Sequence, residues 1–188
     1  MVKQQIKQHR LFFTPIYEIP PETQEIEIID ESLKWSLNAP SVFASATKTN
    51  RGGYQSVASN DFNLIPKPLL SLIIKKIKNL KTNIMINTWW ININNKGDYN
   101  KTHTHPATDI AIVFYLTDNE GLLLFENPQT HSRYRFLQAM NMNLTYSLDV
   151  PKGTMVLFPS DIRHSVEEST INTPRVSLAF NGLFDFSK

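Results

Sequence analysis

The stretch "NKTHTHPATD", residues 100–109, sets His103 and His105 one residue apart, just ahead of an almost purely apolar run. On a strand, residues i and i+2 point to one face, so the two imidazoles are expected side by side. A third histidine, His164, follows "TMVLFPSDIR", where a strand ends in a Pro-Ser turn. If the strands carrying these groups are neighbours, three ring nitrogens converge on one side of a metal ion and leave its opposite side free. Imidazole is a good ligand for iron, and a facial triad with open positions serves non-haem oxygen chemistry. The usual triad includes a carboxylate. Here the position two after His103 is another histidine, and Asp109 is the alternative third ligand if the "HPATD" turn folds back. The competing reading is that these histidines cap strands or hydrogen-bond loops. His9 and His131 have no such company and are expected at the surface.

Eleven positions after His164, "RVSLAFN" places Arg175, Ser177, Ala179 and Asn181 on one face of a strand. An arginine on the inward face of a barrel is costly unless it meets an anion. Its planar fork fits a carboxylate through two bonds, and a neighbouring serine hydroxyl can add a third. The competing role is an internal ion pair with Asp149 or Glu126. Asn92 and Asn94 alternate with Ile91 and Ile93, so an asparagine face beside the histidines can hydrogen-bond a cofactor or substrate; Asn181 shares the face of Arg175. These asparagines could equally be strand-edge residues facing water. Trp89, Trp90 and Tyr115 read as core or pocket wall.

The elements that must position these groups follow from periodicity. Ile26, Ile29, Leu33 and Leu37 fall at helical spacing, and Pro40 stops that run. "PKPLLSLIIKKIKNLK" gathers Leu69, Leu70, Ile73, Ile74, Ile77 and Leu80 on one side. Lys75, Lys76 and Lys78 fall mostly on the other, which reads as a solvated lysine face on a helix packed against a sheet. "TKTNRGGYQSVASNDFN" reads as a loop. From residue 84 onward come short β-type runs separated by Gly, Pro, Asn and Asp: "NIMINTWWININ", "IAIVFYL", "GLLLFEN", "NLTYSLDV", "GTMVLFP" and "RVSLAFNGLF". The expected fold is mainly β, a jelly roll with two flanking helices near the N-terminus. One domain is expected over 1–188, with helices in 1–83 packed on a core in 84–188.

At 188 residues the chain can bury a substantial core. It has no cysteine, so any metal must use His, Asp or Glu, and disulfides and thiolate nucleophiles are excluded. A net charge of +2, with no basic groove interleaved with aromatics, gives no evidence for nucleic acid. No apolar run is long enough for a signal peptide or a membrane span. The expectation is therefore a cytoplasmic protein, bacterial or encoded by a virus and acting in the host cytoplasm. A homodimer is compatible with the sequence.

The chain resembles the 2-oxoglutarate/iron(II) dioxygenase superfamily, and within it a branch met in marine bacteria and their phages. The resemblance rests on "RGGYQS", "WINI" leading to "KGDYN", "HTHP", "VFYL", "LLFENP", "VPKGTMVLFPSDIRHSV" and "RVSLAFN", in that order from about residue 50. It implies a double-stranded β-helix, Fe(II), and 2-oxoglutarate as cosubstrate in the oxidation of a second compound. His103 and His164 match the superfamily's two metal-binding histidines. His105 falls where most members have Asp or Glu. Arg175 and Ser177 match the residues that hold the distal carboxylate of 2-oxoglutarate. Where the branch has Ser-Gly, this chain has Ala111 and Ile112, expected to narrow the pocket.

The resulting expectation is a hydroxylase-type dioxygenase with His103, His105 and His164 on the metal. Arg175, Ser177, Asn92 and Asn181 are expected on the cosubstrate, with no catalytic group beyond the metal ligands. The alternatives are a cupin-like metal enzyme that does not use 2-oxoglutarate, and a non-catalytic phage accessory module. The substrate, small molecule or peptide, is not legible.

Overall fold

The computed structural model describes residues 13–80, 82–118 and 122–187. It is a double-stranded β-helix: two antiparallel sheets face each other, and helices cover one of them from outside. After β1 (Tyr17–Ile19) come α1 (Ile26–Leu37) and a short α2 (Ala39–Val42), then β2 (Asn50–Arg51), β3 (Tyr54–Gln55) and α3 (Lys67–Lys78). The sheets are completed by β4 (Ile84–Asn94), β5 (Tyr99–His103), β6 (Ile110–Tyr115), β7 (Leu123–Glu126), β8 (Thr145–Leu148), β9 (Met155–Pro159), β10 (His164–Val166) and β11 (Arg175–Phe184). A helix, α4 (Thr130–Ala139), lies between β7 and β8. The larger sheet runs β1-β9-β6-β11-β4-β3 and the smaller β2-β5-β10-β7-β8.

Alternation along the strands divides the core in two. Ile91, Ile112, Phe114, Leu157, Val176, Leu178 and Phe180 point out of the barrel and meet Ile29 of α1 and Leu69, Leu72, Ile73 and Ile77 of α3. Residues of opposite parity point inward: Ala111, Tyr115, Val156 and Phe158 pack there on Leu123, Phe125 and Leu148 of the smaller sheet. Ile112 therefore packs on the helix layer and does not narrow the pocket, contrary to the expectation; Ala111 alone of that pair faces inward.

Further differences concern the helices and the segment between them. Lys76, expected on a solvated face, is buried at 2% exposure. It lies three residues after Ile73, on the seam between α3 and the segment before α1, where its ammonium meets Glu25 at 2.8 Å and donates to the Pro20 carbonyl at 2.9 Å. Ile74, expected on the apolar side, is exposed instead. The segment read as a loop carries β2 and β3, one in each sheet, joined by Gly52 and Gly53 at φ +68° and +62°. A Cβ on Gly53 would stand 2.5 Å from the Ile93 carbonyl oxygen, so this crossing between sheets needs glycine. The helix α4 is not among the elements expected from the sequence.

Candidate metal centre and cosubstrate pocket

The histidines meet because β5 and β10 are antiparallel neighbours in which His103 and His164 are register partners. Their ring centroids lie 4.2 Å apart. β5 ends at His103, so His105 stands just beyond the strand, anchored by its own N–H to the Ser160 carbonyl at 2.9 Å. It stacks on His103 at 5.2 Å and 18° all the same. One nitrogen from each of the three rings lies within 4.8 Å of the others.

Each ring is oriented by a hydrogen bond at Nδ1. His103 Nδ1 donates to the Lys101 carbonyl at 2.7 Å, His164 Nδ1 to the Ile162 carbonyl at 2.9 Å, and His105 Nδ1 to Asn181 Oδ1 at 2.7 Å. An oxygen acceptor at each Nδ1 holds the proton there and leaves the Nε2 lone pair bare, which is how metal-binding imidazoles are prepared. Burial is the main reason the rings stay neutral. It lowers the pKa of His103 and takes His105 to about 4 and His164 to about 3, the latter two helped by the neighbouring imidazoles. Asp109 is turned away: it is exposed, and its Oδ2 accepts from the Phe184 N–H at 2.8 Å. His9 lies outside the described residues, and so does the side chain of His131 on α4.

Beside the imidazoles, cross-strand rows build a polar wall. Arg175 is opposite Asn94, and Ser177 lies between Asn92 on β4 and Tyr115 on β6. All of these line a narrow cavity that reaches His103, His105 and His164. Arg175 is 3% exposed and has no ion pair among the described residues; Glu126 is bound instead to Arg163 at 2.7 Å. Its Nη1 donates to the Glu167 carbonyl at 3.1 Å, and its Nη2 is buried with no partner. The Tyr115 hydroxyl, Asn94 Nδ2 and Asn92 Oδ1 are likewise buried and unpartnered. Burial raises the Tyr115 pKa and lowers that of Arg175, which the Tyr115 and Asp98 charges oppose. Unmade bonds of this kind are costly; the three donors among them, Arg175 Nη2, the Tyr115 hydroxyl and Asn94 Nδ2, suit an anion, whereas Asn92 Oδ1 can only accept. Asn181, expected with these residues, has its oxygen on His105 and lines a second cavity, which shares His103 and His105 with the first but not Arg175. Gln55 and Lys48 of that second cavity were not singled out from the sequence; Gln55 lies in the "RGGYQS" motif, whereas Lys48, three residues ahead of it, carried no signal of its own.

The residues suit a divalent metal and a dicarboxylate: three neutral imidazoles with directed Nε2 lone pairs, and a buried cation with an empty donor. On a double-stranded β-helix this defines a 2-oxoglutarate/iron(II) oxygenase. Residues 88–181 match the family model described as "Putative 2OG-Fe(II) oxygenase", half of the chain, and the chain belongs to that family.

Solved structures share the fold. The 2-oxoglutarate-dependent carbocyclase SnoK from nogalamycin biosynthesis superposes with a TM-score of 0.66 at 11% identity, over 92% of this chain and 80% of that one. HygX from Streptomyces hygroscopicus, with nickel and 2-oxoglutarate bound, gives 0.63 at 11% identity over 92% and 84%. A prolyl hydroxylase from Trichoplax adhaerens, in complex with a hypoxia inducible factor peptide fragment, gives 0.63 at 16% over 89% and 83%. No curated protein matches the sequence.

Proposed function

We infer that the chain couples decarboxylation of 2-oxoglutarate to hydroxylation of a C–H bond, with dioxygen as oxidant and succinate, carbon dioxide and the hydroxylated compound as products. His103, His105 and His164 would hold iron(II) through Nε2. Arg175, with Ser177 and the Tyr115 hydroxyl, would hold the distal carboxylate of the oxoacid. The bound iron and oxoacid supply the oxidising chemistry when present. The protein's residues orient both partners, keep the imidazoles neutral and exclude water from the inner cavity. Three neutral ligands leave the dipositive charge uncompensated, one unit more than a triad with a carboxylate.

The observation that carries this reading is the pairing of three Nε2 lone pairs with a buried guanidinium whose Nη2 has no partner, on the wall of one cavity. A cupin-like enzyme that does without the oxoacid has no use for that guanidinium. We read the chain as one domain acting in the cytoplasm of a bacterium or of a phage-infected cell, in line with the finer resemblance to the marine and phage branch.

Anaerobic titration with iron(II) and then 2-oxoglutarate tests the assignment through the weak visible charge-transfer band of the chelate. Under air, the loaded protein should form succinate slowly without added substrate. Succinate no higher than a His164→Ala blank, in a protein shown to hold both, would turn the reading to a binding module.

A further inference from the structure

Two cavities share His103, His105, Thr49 and Trp90. The inner one carries Arg175. The outer one, about 150 Å³, is lined by Lys48, Gln55, Trp90, Thr104, Pro106 and Asn181, among others. No aspartate or glutamate lines either cavity. The ionised side chains on their combined walls are two cations, Arg175 inside and Lys48 at the mouth. Lys48 is exposed and has no ion pair among the described residues. With uncharged imidazoles between them, the cavity walls carry positive charge only; Asp98, whose charge reaches Arg175, is not among the lining residues. Low-dielectric walls of one sign focus their field on a ligand of the other.

Hydrogen bonding and size narrow the class. Gln55 is 6% exposed, and its amide oxygen is buried without a partner. A carboxamide on a cavity wall offers one acceptor and two donors, and is matched by another amide. Trp90 presents an indole beside His105, with ring centroids 5.5 Å apart, a surface on which a planar group can lie. A cavity of this volume encloses a group about as large as benzene, so it takes in the amide portion of a small ligand and leaves the rest at the open end beside the exposed Lys48.

We propose that the outer cavity receives the compound to be oxidised, and that this compound is a small amide-bearing carboxylate. Its anionic end pairs with Lys48 and its amide is held by Gln55 against Trp90. The proposal rests on the oxygenase reading above only for what happens to the compound; its chemical class follows from the walls.

Calorimetry on the full chain loaded with zinc(II), which does not turn over, tests it with two probes: N-acetylalaninate and its neutral N-methylamide. The anion should bind alongside 2-oxoglutarate, about five- to tenfold tighter than the neutral amide at low salt, a preference that shrinks as salt screens the mouth. Lys48→Gln should abolish the preference, Lys48→Arg should keep it, and Gln55→Leu should weaken both probes. Equal affinities, no binding of either at millimolar concentration, or a preference untouched in Lys48→Gln would overturn the proposal. So would displacement of 2-oxoglutarate by N-acetylalaninate, which would mean the anion is read by Arg175. Failure of 2-oxoglutarate itself to bind would sink the oxygenase reading instead, and the anion preference would still be measurable on the zinc protein alone.

Discussion

Asn181→Leu keeps most of the side-chain volume and removes the oxygen that holds the proton on His105 Nδ1. That bond is short, 2.7 Å, on a ring that is 8% exposed. The other ring contacts are a tilted one with His164 at 5.0 Å, stacking on His103 at 5.2 Å, a tilted contact with Trp90 at 5.5 Å and an edge contact with Phe158 at 6.5 Å. These fix its plane but are indifferent to which nitrogen carries the proton. Loss of such an outer partner weakens a metal site by about ten- to a hundredfold, or about 1.4 to 2.7 kcal/mol. The lower half of that range is expected, because His103 and His164 keep their backbone acceptors. Asn181→Asp restores an acceptor and adds the negative charge that three imidazoles lack, so it should bind at least as tightly as the unmodified chain. Zinc(II) affinity, measured at neutral pH by competition with a chromophoric chelator, reads all three. An Asn181→Leu protein with an unchanged unfolding temperature and an affinity within about twofold of the parent would refute the reasoning. So would an aspartate variant no tighter than the leucine one.

Arg175→Gln should weaken 2-oxoglutarate by about ten- to a hundredfold, the loss of about 1.5 to 3 kcal/mol of charged hydrogen bonding, while zinc affinity stays within a few-fold; calorimetry separates the two. Without metal, His105 and His164 titrate at about 4 and 3 in the folded chain because they are buried, but near 6.5 when unfolded. The unfolded state then binds more protons between these limits, so the metal-free protein should lose stability as pH falls from about 6.5 toward 4, a slope that His164→Leu should reduce in denaturant titrations. Lys76→Ala leaves the buried Glu25 carboxylate with only the half-exposed Lys75 at 3.5 Å and should cost about 3 kcal/mol, whereas Glu25→Leu with Lys76→Met should be nearly neutral. Burial works against ionisation of Glu25, yet the Lys76 hydrogen bond, the Glu22 N–H and the two lysine charges outweigh it and lower its pKa. Its contribution is thus present above the ordinary carboxylate range and lost as pH falls through the lowered value; thermal melts of Glu25→Gln and the parent should differ at neutral pH and converge in acid.

The strand runs from residue 84 on were legible because alternation and turn residues are local, and six of them became strands. The histidine-bearing strands β5 and β10 are not among those runs, since "YNKTH" and "HSV" are short and polar; the histidine spacing alone suggested strands there, and pairing with each other and with β7 makes them so. The Lys76 error has the same origin. A helical wheel sorts residues by angle, but only the neighbouring segment shows that an acid waits at the seam. Ile112 was misplaced because parity along β6 needs to be known relative to the helix layer, which no local pattern supplies.

For the site, the sequence by itself determined the donor set: three histidines without cysteine, and an arginine at period two from a serine and an asparagine. Side-chain chemistry and strand parity depend on residue identity alone. Tertiary structure decided which donors meet and what completes them. The β5–β10 register puts His103 opposite His164, the turn after β5 sends Asp109 outward, and β11 sets Asn181 behind His105. Those are contacts between residues up to 76 positions apart, fixed by sheet pairing and core packing rather than by anything within reach along the chain.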